Sequence, residues 1–193
     1  MKFAKLTEYF GKIEVTSLRN AKTVILADIL REASSEEVSK LVYLALGGLR
    51  PAFDRLEFNM AEKMILRAIG ATNEQYQKVG DLGELVVSSR AGSRDPSTKV
   101  GMTGRQVGMT GRSVSEVYGE LETIARDSGS GSQERKVARL GKLIKSVDSQ
   151  SAKYVVRMVA GKLRLGFSDK TVLDALSYLE NGTKEYSEQL DRA

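Results

Sequence analysis

The chain has 193 residues, 41% apolar and 28% charged, with a formal net charge of +5. It contains neither cysteine nor histidine, which excludes a disulfide framework, thiolate chemistry and any site built on an imidazole base or zinc ligand. No stretch approaches the ~20 apolar residues of a membrane helix, and the opening MKFAKLTEYFGKIEV lacks the apolar run of a signal peptide. A soluble, intracellular protein is expected, long enough to bury a real core as one fair-sized domain or two small ones.

Apolar residues recur at helical spacing from the start. Phe3, Leu6, Phe10 and Ile13 form the first stripe. After the Thr16-Ser17 loop a helix is expected to run to Arg31, with Arg19 and Lys22 near its start. Ser34 with Glu37 reads as a capping box ahead of Val38, Leu41, Val42 and Ala45, and Gly47-Gly48 closes that helix. Asn59 with Glu62 is a looser cap before Ala61, Met64, Ile65, Ala68 and Ile69, and Gly70 stops it. GDLGE at 80–84 carries net negative charge and reads as a turn or packing element.

Residues 90–112, RAGSRDPSTKVGMTGRQVGMTGR, break the pattern: residues 100–106 are repeated almost unchanged at 107–113. Glycine at this density disfavours helix. The segment reads either as a flexible basic connection or as an arm that touches phosphates. Ser113 with Glu116 then caps Val114, Val117, Leu121, Ile124 and Ala125. Two further stripes follow, Val137, Leu140, Ile144, Val147 and Ala152, Val155, Val156, Val159, Ala160, Leu163. Alternating strand patterns are absent. The fold class is all-α, read as a multi-helix domain of about ten helices.

The sequence also repeats itself. Shifted by 114 residues, 16–53 lies on 130–167 without a gap, with eight identities that include Lys22 on Lys136, Gly47 on Gly161, Leu49-Arg50 on Leu163-Arg164 and Phe53 on Phe167. Two like helical hairpins about a pseudo-twofold axis are expected, within half-repeats of about 1–70 and 113–181 of a single domain spanning 1–193. Such a body can offer matching helix N-termini to the two strands of a duplex.

Positive charge is concentrated. Residues 129–170 hold ten lysines and arginines against three acids, and 88–112 hold five against one, as a polyanion site requires. In SGSGSQERKVARLGKL (128–143), Gly129 and Gly131 let a ligand approach the backbone. Ser130 and Ser132 offer hydroxyls, and Arg135 and Lys136 flank a helix start whose free N–H groups attract anions. The same letters fit a plain linker before a solvated helix face. Lys162, Arg164 and Gly166 in AGKLRLGFSD, and Ser17, Arg19 and Lys22 in TSLRNAK, are the other candidates. No carboxylate pair, nucleophile–base pair or metal-ligand cluster is apparent, so no catalytic or metal residue is assigned.

GDLGE (80–84), GSGSQERK (129–136) and GKLRLG (161–166), in that order, with F-x-K-I-E at 10–14 and the helix from 16 to 31, resemble the N-terminal DNA-binding domain of ATP-dependent DNA ligases of the archaeal and eukaryotic replicative type. The resemblance implies an all-helical domain with an internal pseudo-twofold that grips the minor-groove side of nicked double-stranded DNA through phosphates. It places the contacts on Ser17, Arg19 and Lys22, on Gly129, Ser130, Gly131, Ser132, Arg135 and Lys136, and on Lys162, Arg164 and Gly166. The ligase nucleophile is the lysine of a K-x-D-G motif, which these residues lack. The adenylation and OB-fold domains are therefore expected outside this chain. They are its partners around DNA, and ATP and Mg belong to the full-length enzyme. A monomer with no membrane association is implied, cytoplasmic at the nucleoid of a prokaryote or nuclear in a eukaryote. The competing reading is a helical protein-interaction scaffold with a basic surface.

Overall fold

Helix is the regular structure of this chain. The computed structural model describes residues 1–92 and 111–192. Among them are α1 (Phe3–Glu14), α2 (Arg19–Arg31), α3 (Ser35–Ala45), a 3-10 turn (Ala52–Asp54), α4 (Glu62–Ile69), α5 (Asn73–Val79), α6 (Leu82–Gly92), α7 (Val114–Arg126), α8 (Ser132–Lys145), α9 (Ser149–Val159), α10 (Asp169–Asn181) and α11 (Ser187–Asp191). The only strand-like pairing among the described residues is an isolated bridge between Lys2 and Ser113. The all-α expectation holds, with eleven α-helices described.

The stripes read from the sequence are the buried faces. Phe3, Leu6, Phe10 and Ile13 of α1 are buried, as are Val117, Leu121 and Ile124 of α7 and Leu140 and Ile144 of α8; in α8 Val137 is only half-buried and Leu143, outside the stripe as read, is buried. Capping boxes form where expected, at Ser34–Glu37 and Ser113–Glu116. The looser signal at Asn59 does not cap. Asn59 takes a left-handed turn (φ 49) and α4 starts from Ala61. Asparagine tolerates that conformation because its short amide bonds locally, so the residue turns the chain instead of opening the helix.

Helix partners come in reciprocal couples. α1 packs on α9 and α7 packs on α3; α2 packs on α10 and α8 packs on α4; α1 and α7 touch each other. Under the 114-residue shift α3 falls on α9 end to end, and α2 falls on α8 apart from one extra residue at the start of α8. Phe10 meets Tyr154 edge to face, centroids 5.3 Å apart, where α1 crosses α9.

Close approach is bought with glycine in two places. A Cβ on Gly83 would lie 2.9 Å from the Lys153 carbonyl oxygen and from the Arg157 side chain, so α6 lies directly on α9. A Cβ on Gly141 would lie 3.2 Å from the Ala68 carbonyl oxygen, where α8 meets α4. The segment read as a connection over 90–112 begins within α6. Residues 90–92 complete α6, and the Arg90 guanidinium donates to the carbonyls of Ile144 and Val147 at the end of α8. Carbonyls at a helix C-terminus lack intrahelical donors and attract a cation, which fixes Arg90. Residues 93–110, with most of the duplicated VGMTGR, lie outside the described residues.

GDLGE has the packing role expected of it. Asp81 precedes α6 and accepts the Glu84 N–H at 2.9 Å. The same carboxylate takes Arg157 Nε at 3.1 Å and Arg164 Nη1 at 3.2 Å. Arg157 also reaches Glu14 at 2.9 Å, so one buried guanidinium joins α1, α6 and α9.

Candidate nucleic-acid interface

The start of α8 is built by two left-handed glycines. Gly129 (φ 82) and Gly131 (φ 72) adopt a conformation that costs other residues ~1–2 kcal/mol. Gly131 is the N-cap, and no side chain caps the helix behind it. By contrast Thr72, Ser113 and Asp148 each accept an N–H at the helices they open. Gly129, Ser130 and Gly131 are exposed; the Ser132 N–H turns back to the Gly129 carbonyl at 3.2 Å, and the exposed Gln133 and Glu134 follow it in the first turn of α8.

Arg135 folds back over this loop. Its Nη2 meets Asp127 at 2.6 Å and its Nη1 donates to the Ser130 carbonyl at 2.9 Å. The guanidinium pulls the Asp127 carboxyl below its ordinary range. Arg135 thus shapes the loop from its outer side. Ser132 and Lys136 are buried. Lys136 is only 3% exposed, and its ammonium donates to the Phe58 carbonyl at 2.6 Å. Burial lowers the pKa of that ammonium. Glu134 pairs with Arg67 of α4 through both carboxylate oxygens, at 3.0 and 2.6 Å.

A second group forms around the start of α2. Leu18 is the N-cap and offers no side-chain acceptor. Ser17 is exposed one residue earlier, and the Thr16 hydroxyl turns back to the Lys12 carbonyl at 2.7 Å, so neither caps the helix. Arg19 is exposed and pairs with Asp174 of α10 at 3.1 Å. Lys22 is buried, and its ammonium donates to the carbonyls of Leu165 (2.7 Å) and Gly166 (3.1 Å).

The loop that Lys22 grips is wound tightly. Gly161 (φ 66), Arg164 (φ 59) and Gly166 (φ 66) are all left-handed. Leu163 and Leu165 are buried between them, which turns Lys162, Arg164 and Gly166 outward. Lys22 therefore ties α2 to the 161–166 loop, with Arg19 one turn earlier on the same helix paired to α10. The 129–136 segment is built separately, against α4 and the chain at Phe58.

Sequence reading overlooked Arg67, the pairing of Asp81 with Arg157 and Arg164, and the carbonyls that receive the two buried lysines. A signal existed for the lysines. Lys22 leads Leu26, Ile29 and Leu30, and Lys136 leads Leu140, Leu143 and Ile144, at the spacing of one helical face. Both stand on the buried stripe.

Fold and surface together define an all-helical domain with basic, glycine-lined loops beside open helix N-termini. Residues 2–177 match the family model described as DNA ligase N terminus, and the chain belongs to that family. It is 38% identical over its whole length to a probable DNA ligase of Dictyoglomus thermophilum, covering 32% of that protein. It is 35% identical to a DNA ligase of Pyrobaculum arsenaticum and 38% identical to a DNA ligase of Saccharolobus solfataricus, each over the whole chain and 33% of the relative. The chain spans about a third of the length of the curated relatives it matches.

Proposed function

We propose that this chain binds duplex DNA without regard to sequence and positions nicked DNA for sealing by an ATP-dependent DNA ligase of which it forms a part. The observation that carries this reading is the N-terminus of α8, which no side chain caps, behind the exposed Gly129 and Gly131; the helix dipole there favours an anion. Phosphate contact falls on the exposed members of the candidate set other than Arg135: Ser17, Arg19, Gly129, Ser130, Gly131, Lys162, Arg164 and Gly166. Arg135 holds the loop in shape, and the buried Ser132, Lys22 and Lys136 support it from beneath. The reciprocal helix couples support a pseudo-twofold that sets the α2 site and the α8 site against the two backbones of the duplex.

The adenylation and OB-fold domains of the same enzyme are the proposed partners around DNA. ATP and Mg are ligands of that full-length enzyme. No cluster of three or more acidic residues able to hold a metal converges among the described residues, and no chemical step is assigned here. Backbone-directed contacts position a duplex without reading its bases.

The test is a titration of the chain with unrelated duplexes over a range of salt. Affinity is expected to be alike for each duplex, with the log–log slope against salt steepening by ~0.9 per phosphate neutralised. Binding that stays flat with salt, or that tracks one sequence, refutes the proposal and favours a protein-interaction scaffold.

A further inference from the structure

Lys22 and Lys136 occupy equivalent places in the repeat, and both are buried cations whose ammonium groups end on backbone carbonyls instead of carboxylates. Neither has an ion pair among the described residues. An ammonium is costly to remove from water, and a buried one persists where carbonyl dipoles replace its hydration. The carbonyls chosen are not local. Lys22 of α2 reaches the loop that follows α9, and Lys136 of α8 reaches the segment that follows α3. Each lysine thus ties the first helix of one hairpin to the chain leaving the other.

The consequence lies at the surface. Gly166 is held from beneath by Lys22, and a Cβ there would lie 3.0 Å from the Lys22 nitrogen. Lys136 holds α8 one turn beyond its open N-terminus, where Glu134 is also fastened to α4. We propose that Lys22 and Lys136 are positioning residues, a crossed pair of internal clamps that set the two phosphate-facing loops in place before DNA arrives, and that neither touches a phosphate. This rests on the DNA-binding reading above. Pre-ordered loops spare the ordering cost that flexible ones meet on binding.

Contact and positioning are separable by salt. A lysine that neutralises a phosphate releases a counterion, so its loss makes the log–log slope shallower by ~0.9; loss of a buried clamp weakens affinity and leaves the slope alone. Lys22→Met and Lys136→Met are expected to weaken duplex binding on the order of tenfold at unchanged slope, whereas Lys162→Ala reduces the slope. A slope reduced in the methionine variants as in Lys162→Ala overturns the proposal.

A second measurement needs no variant. With the unaltered chain, lysine-directed acetylation read by mass spectrometry is expected to leave Lys22 and Lys136 unmodified with or without duplex, and to modify Lys162 only without it. Labelling of Lys22 in the free chain that DNA then blocks also overturns the proposal. A chain that fails to bind duplex at all, yet shields both lysines, would count against the DNA-binding reading and not against their burial.

Discussion

Gly129 and Gly131 are two residues apart, share a left-handed backbone and differ in what surrounds them. A Cβ on Gly129 meets open space, whereas one on Gly131 lies 3.1 Å from Arg135 Nη1, the nitrogen that holds the Ser130 carbonyl. Gly129→Ala is therefore expected to cost only the backbone strain of ~1–2 kcal/mol, and Gly131→Ala more, read as the difference in unfolding free energy from denaturant titrations. On DNA, Gly131→Glu is expected to weaken binding at least tenfold more than Arg139→Ala. It sets a carboxylate at the end of the helix dipole that attracts anions, while Arg139 is an exposed cation one turn beyond Arg135. Equal small effects in a binding assay would return the loop to the status of a linker. The sequence singled out these glycines, but the letters alone left the loop open between an anion site and a plain linker. The work of Asp81 was not legible, since the arginines it holds lie far along the chain at 157 and 164.

Elements repeat more faithfully than the charges they carry. α3 and α9 coincide under the shift, and Gly47 and Gly161 both turn left-handed after them. The arginines that follow are treated differently. Arg50 is neutralised by Asp54 at 2.5 Å and Glu122 at 3.2 Å, whereas Arg164 shares the single carboxylate of Asp81 with Arg157. Lys162 replaces Gly48 beside it. The hairpin is thus kept for packing, while after its second helix only the second copy leaves Lys162 and Arg164 exposed. At the α6–α9 crossing Gly83→Ala is expected to destabilise by ~1–3 kcal/mol, the usual result of overpacking, because one of the atoms its Cβ would meet is backbone and cannot swing aside. Thermal unfolding of the variant checks this; an unchanged midpoint would mean that the helices slide apart freely. Capping boxes were readable because both partners lie within four residues. The Asn59 signal misled because a turn and a cap use the same residue types.

Across the molecule, the buried and half-buried carboxylates set the response to acid. Burial by itself would raise Glu14, Asp81 and Asp174. Bonds from Tyr154, Arg157 and Lys153 to Glu14, from the Glu84 N–H and Arg157 to Asp81, and from Ser187 to Asp174 together with the charges of Lys184 and Arg19, outweigh it, and all three lie below the ordinary carboxylate range. Glu37 is lowered chiefly by the Met1 ammonium, 2.7 Å away. As pH falls, these groups take up protons in the unfolded chain before the folded one. The stability they contribute is complete above the unfolded value and is lost as pH drops through the folded values. The melting temperature is expected to hold between about pH 7 and pH 5 and to fall below about pH 4. A histidine-free chain has no imidazole to add a step in between. A midpoint that rises on acidification would contradict the lowered carboxylates.

Sequence alone determined the all-helical class, the helices with long apolar stripes, the capping boxes at Ser34 and Ser113, the repetition of letters and the concentration of positive charge, because each is written in the letters themselves and needs no folded partner. Motif order alone also pointed to the DNA ligase family. The tertiary structure decided which cations face outward. Lys22 and Lys162 are both lysines beside a glycine-lined loop, yet one is buried against carbonyls 143 and 144 residues away and the other is open to solvent. That choice depends on which hairpin a helix packs against, a long-range pairing that no local pattern records.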